Sequence, residues 1–187
     1  MIFNDTRLML FVSSLILISS VVMLGSRKRK KDSASKKKEN HWTILSIIIC
    51  QFLMILTCFF ETIKFTQTLN AVNFVGMILI IISAFMTHFS FKELGEFYSP
   101  VIEVKKKHKL INTGIYSLIR HPMDSANLLF MIGLPLIATA YFSLIWLVPY
   151  ITILFFKIRY EELVLSKELI GYKNYMKKTK RLIPYLF

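Results

Sequence analysis

KKKHKLINTGIYSLIRHPMDSANLLFMIG, residues 105–133, carries a lysine-rich polar loop straight into an apolar helix. Gly114 and Pro122 punctuate it, and Pro122 suits the first turn of a helix, where a missing N–H goes unnoticed. Arg120, His121, Asp124 and Asn127 crowd around the junction. A buried unpaired charge costs several kcal/mol, so membrane helices exclude such groups unless they have work there. The fold follows from reading this stretch as a membrane boundary, and the chemistry is expected at the same place.

Outward from it, the apolar residues fall in blocks. They make up 55% of the 187 residues, and the mean hydropathy is +0.54. That is too apolar for a soluble domain. At 1.5 Å per residue, five blocks are long enough to cross all or most of a bilayer core: 8–24, 42–60, 71–89, 122–140 and 141–156. A cleaved signal peptide competes for the first block, but the leading MIFNDTR carries little positive charge and the basic run follows the block instead. Almost nothing separates the last two blocks, which predicts a tight hairpin kinked at Pro135 and Pro149. The expected fold is all-α and polytopic, one integral membrane domain over 1–187. Residues 1–89 hold three spans, and 90–187 form the half that carries the chemistry.

The net charge of +13 excludes little by itself. Its cations lie beside apolar blocks, in 27–38, 92–120 and 177–181. That is the positive-inside pattern, not a nucleic-acid surface. Five spans with the N-terminus outside and the C-terminus inside place every basic loop in the cytosol. Contact with anionic lipid is an added expectation.

Cys50 and Cys58 are eight helical residues apart, about 12 Å, too far to pair with each other. CxxC and HxxxH spacings are absent and the four histidines are scattered, so no metal is expected. A phosphate loop, GxGxxG and G-x-S-x-G are absent as well.

The tail is amphipathic. Ile158, Glu162, Leu165, Leu169, Tyr172 and Met176 recur at helical spacing. Glu162 thus falls on an apolar stripe. It either pairs locally with Arg159 or points into a site that the tail covers. Loop and tail together offer cations (Lys109, Arg120, Arg159), carboxylates (Asp124, Glu161, Glu162) and aromatic faces (Tyr116, Tyr172, Tyr175). Such a set suits a zwitterionic cofactor with an aromatic base.

These residues are similar to the isoprenylcysteine carboxyl methyltransferase family, within a wider group that includes membrane phospholipid methyltransferases. The resemblance runs through Leu94-Gly95, Tyr98-Ser99, His108-Lys109-Leu110, Gly114-x-Tyr116 and Arg120-His121-Pro122. After the hairpin come Glu161-Glu162, Tyr172-x-x-Tyr175, Thr179-x-Arg181 and Pro184. It covers the chain from the third block onward and implies methyl transfer from S-adenosylmethionine to a lipophilic or prenylated acceptor. The pocket would face the cytosol, in a cytoplasmic or endoplasmic-reticulum-type membrane. The resemblance implies cofactor contacts from His108, Lys109, Leu110, Gly114, Tyr116, His121, Pro122, Glu161, Glu162 and Tyr175. Arg120, Arg159 and Glu162 would carry or orient reacting groups, and Asp124 and Asn127 would meet the acceptor. Two positions depart from the family pattern. Asp124 stands where the family favours tyrosine, as a helix-N-terminal charge, a partner for Arg120, a changed acceptor pocket or a mark of reduced or lost activity. Leu169 stands where it favours glycine, with Gly171 two residues later. A nicotinamide-dependent membrane reductase and a non-catalytic scaffold are the rival readings.

Overall fold

The computed structural model describes residues 6–26, 36–37, 41–65, 69–95, 103–104 and 110–183. It is built from α1 (Thr6–Ser26), α2 (His41–Lys64), α3 (Ala71–Leu94), α4 (Pro122–Ala138), α5 (Leu147–Glu168) and α6 (Tyr172–Lys178). Two 3-10 turns, Gly114–Ser117 and Tyr141–Trp146, precede α4 and α5. Two-residue strands, β1 (Lys36–Lys37) and β2 (Glu103–Val104), pair antiparallel; apart from one parallel bridge between Ile119 and Lys180, the other regular elements among the described residues are helical.

Three segments are long and apolar enough to cross a membrane: Trp42–Lys64, Ala71–Leu94 and Tyr141–Glu168. The first and fourth expected spans are shorter apolar helices among the described residues, Leu8–Ser20 and Pro122–Ala138. The 17 residues of α4 reach about 25 Å, less than the ~30 Å hydrocarbon core. This helix is mostly buried within the bundle.

Helices α3 and α4 make the most extensive contact, and small residues let them do so. A Cβ on Gly76 would lie 2.6 Å from the Ile137 nitrogen and 2.7 Å from the Gly133 oxygen. In lipid, where no hydrophobic effect drives helices together, such close backbone packing supplies the attraction. Asn73 adds polar anchors. It is buried and its Nδ2 donates to the Leu136 and Ile137 carbonyls at 3.1 and 2.8 Å. About two turns below Gly76, the Ser83 hydroxyl donates to the Ala126 carbonyl at 2.7 Å.

The hairpin differs from expectation. Thr139 takes a left-handed conformation (φ 54) and ends α4. The chain then tightens into the 3-10 turn, whose Phe142 and Ser143 amides donate to Glu61 at 3.2 Å. Glu61, expected in a loop, belongs to α2, which continues to Lys64. Pro149 lies in the first turn of α5, where it starts the helix and does not kink it. Pro135 does sit inside α4, in its last turn.

Candidate functional site: the junction and the returning tail

The tail docks on the junction as a short parallel ladder. The Arg120 amide donates to the Lys180 carbonyl at 2.8 Å, the His121 amide to the Arg181 carbonyl at 3.0 Å, and the Lys180 amide to the Leu118 carbonyl at 3.3 Å. Side chains reinforce it. The Ser125 hydroxyl donates to the Leu182 carbonyl at 2.7 Å, and the Tyr175 hydroxyl to the Tyr116 carbonyl at 2.6 Å.

Glu162 is the charged centre of this contact. Its carboxylate accepts from Arg120 Nε at 2.8 Å and from Arg181 Nε at 2.9 Å, with Arg181 Nη2 also at 2.9 Å. Arg120 Nη1 donates to the Met176 carbonyl at 3.1 Å and to the Thr179 carbonyl. Arg120 therefore clamps the tail as well as lining the cavity. The expected local pair of Glu162 with Arg159 does not form. Arg159 points to another face, its guanidinium 4.4 Å above the Phe155 ring, beside a small apolar cleft. The inward stripe of α5 takes Glu162, while Arg159, three residues earlier, falls outside it.

The tail is not one helix. α5 ends at Glu168, and Gly171 at φ 86 begins α6. Only glycine adopts that backbone readily, so the glycine at 171, two residues later than the family pattern, marks the break itself.

Between junction, tail and helices α1–α3 lies a cavity of about 560 Å³, within the usual range for small-molecule sites. Of the residues singled out in the sequence, Leu110, Tyr116, Arg120, His121, Pro122, Asp124, Asn127, Glu161 and Tyr175 line it. Glu162 stands behind the wall and holds Arg120. Gly114 (φ 54) does not line the cavity; it shapes the turn that packs on Glu93, whose carboxylate accepts from Thr113 at 2.9 Å. His108 and Lys109 lie outside the described residues.

The cavity has two characters. The junction, α5 and the tail contribute Arg120, His121, Glu161, Tyr172 and Tyr175 to its wall; α1 and α2 contribute Ile18, Val22, Ile44, Ile47 and Ile48. Burial pushes the Tyr116 and Tyr172 hydroxyls far above the usual range, and the Glu161 charge adds to it. Burial also raises Tyr175, to about 12, against the pull of Arg120. All three remain protonated donors with uncharged aromatic faces at neutral pH. His121 Nε2 is buried with no hydrogen-bond partner among the described residues, 3.6 Å from Glu162.

Lys157 was missed by sequence reasoning. It lines the cavity, and its Nζ lies 2.6 and 2.9 Å from the two oxygens of Asp124 and 3.7 Å from Glu161. The partner of Asp124 is thus Lys157, 33 residues on, rather than nearby Arg120. The available signal was a lysine one helical turn before Glu161, at the end of an apolar block. Tyr172 and the deeper Tyr150 are further wall residues. His121, Asp124 and Glu161 could also bring ligand atoms together around a cation, but the Lys157 ammonium already sits against both carboxylates.

The residues fit S-adenosylmethionine. Aromatic faces can stack on a purine, and Glu161, whose contact with Lys157 is the longer one at 3.7 Å, can meet its cationic groups. The family model for phospholipid methyltransferases matches residues 71–170, from the start of α3 through α5. Two curated relatives, from Oryza sativa subspecies indica and japonica, are each named a probable protein-S-isoprenylcysteine O-methyltransferase. Each is 29% identical over 127 residues, a match covering 62% of this chain and 62% of the relative's own length. The chain thus spans less than two thirds of the relatives it matches. The docking strand of residues 179–182 lies beyond the family match, which takes in α3, the junction, α4 and α5. On that match the chain belongs to the phospholipid methyltransferase family.

Proposed function

We propose that this protein is an integral membrane methyltransferase that uses S-adenosylmethionine to methylate the carboxylate of an isoprenylcysteine-like or other lipophilic acceptor. The observation that carries the reading is the mixed lining of one cavity, polar and aromatic from the junction and tail and apolar from α1 and α2. A charged donor and a lipid-like acceptor need just those two surroundings side by side. The active site faces the cytosol, in a cytoplasmic or endoplasmic-reticulum-type membrane. The basic loops support that orientation, with five crossings, the N-terminus outside and the C-terminus inside. Basic residues at the same surface favour anionic lipid.

S-adenosylmethionine supplies a methyl group on cationic sulfur; an ionised acceptor carboxylate takes it as the C–S bond breaks, the bonding pair stays on sulfur, and an ester forms with no proton released. The chain therefore needs no general base for this transfer. Its residues bind, orient and exclude water. Tyr116, Tyr172 and Tyr175 offer stacking faces, and Glu161 attracts the donor's positive charge. Arg120, anchored by Glu162, fixes the wall against which the ligands align. Bringing two reactants into line is itself a large part of such catalysis, and opposite charges that cancel on the way to the transition state react faster in a water-poor site.

Methyl-labelled S-adenosylmethionine and N-acetyl-S-farnesylcysteine, incubated with the purified protein in liposomes, test the reading. Base-labile label in the acceptor is expected. No transfer, with NADPH binding in its place, would overturn it.

A further inference from the structure

We infer that Asp124 is an internal occupant of the acceptor-headgroup position, competing with the acceptor carboxylate for Lys157 and so weakening how tightly this chain binds it. The inference rests on the methyltransferase reading of the same cavity. Among the described residues, two permanent cations line that cavity, Arg120 and Lys157. Arg120 is committed to Glu162 and to tail carbonyls. Lys157, on α5, is the other described cation, and its Nζ faces the cavity carboxylates Asp124 and Glu161.

Asp124 already holds it. Both carboxylate oxygens face Nζ, at 2.6 and 2.9 Å, which is the grip a carboxylate acceptor would need. Asp124, Glu161 and Lys157 sum to one net negative charge, and His121 Nδ1 stands 3.7 and 3.9 Å from the two carboxylates. An ionised acceptor must displace a carboxylate that the first turn of α4 presents at high effective concentration. An uncharged headgroup of the same shape meets no such competitor. Asp124 therefore suppresses carboxylate binding. Asparagine at this position keeps the shape, removes the charge and takes the closest carboxylate away from Lys157, leaving Glu161 at 3.7 Å.

The test is equilibrium binding, which needs no turnover. A farnesyl thioether bearing a carboxylate, and its matched neutral amide, are titrated into the detergent-solubilised full chain by calorimetry. Wild type should favour the carboxylate over the amide by no more than about threefold. Asp124→Asn should raise that preference about tenfold, by tightening the carboxylate and not by weakening the amide. Lys157→Met placed on Asp124→Asn should abolish the gain; this pair leaves no buried carboxylate unpaired on Lys157 and so tolerates the loss. A preference unchanged within twofold by Asp124→Asn, a gain that survives the loss of Lys157, or no binding of either ligand by wild type would overturn the inference. Failure of the underlying reading shows separately, as no methyl transfer from S-adenosylmethionine by wild type.

Discussion

Replacing Glu162 by alanine removes the carboxylate that joins Arg120 of the junction to Arg181 of the tail. The Arg120 and Glu162 side chains are 7% and 4% exposed, so the charge left behind on Arg120 is buried; Arg181, at 26%, is better solvated. Removing one partner of a buried ion pair costs about 3–5 kcal/mol. The partly exposed Arg181 contact adds no more than about 1 kcal/mol. At about 1.4 kcal/mol per factor of ten, the docked tail should lose roughly a hundredfold or more in population relative to the open tail. Hydrogen exchange reads this directly, because the Arg120 and His121 amides donate to tail carbonyls. Their protection should fall by that factor in Glu162→Ala, while amides in the middle of α3 keep theirs. Glu162→Gln, which retains acceptor capacity without charge, should fall in between. Protection at Arg120 and His121 within threefold of wild type would refute the idea that Glu162 holds the tail closed.

Two further outcomes follow from packing and burial. Gly76→Ala drives a methyl group into the Gly133 carbonyl and the Ile137 nitrogen, and should cost about 1–3 kcal/mol, seen as a lower melting temperature in detergent. Tyr175 has its pKa raised from 10.0 to about 12. Its contribution is intact below pH 10 and is lost as pH rises from 10 to 12, because the unfolded chain releases its proton first. Wild type should therefore lose stability more steeply than Tyr175→Phe across that window, as followed by thermal denaturation.

The sequence exposed most of the fold because hydropathy blocks, the position of Pro122 and the stripe ending at Met176 are local signals. The third block began at Ala71, as expected, and the junction residues fell on one cavity. Other features depend on partners far along the chain. Glu162 looks one turn back to Arg159 in a linear reading, yet its partners are 42 residues before it and 19 after it. Lys157 sat at the end of an apolar block and carried no pattern of its own; only the return of α5 beside α4 reveals it against Asp124. The shortness of α4 was hidden for a related reason. Residues 139–146 are as apolar as a helix, and the left-handed turn at Thr139 with the Glu61 cap, set by a different helix, ends it early.

Calorimetric titration of S-adenosylmethionine into the purified protein tests the central claim most directly, that the junction and the returning tail form one donor site. Wild type should bind one equivalent with micromolar affinity. His121→Ala, on the cavity wall, should weaken binding at least about tenfold, and Arg159→Ala, on the opposite face of α5, should leave it within about twofold. No binding by wild type, or equal losses in both variants, would contradict the account.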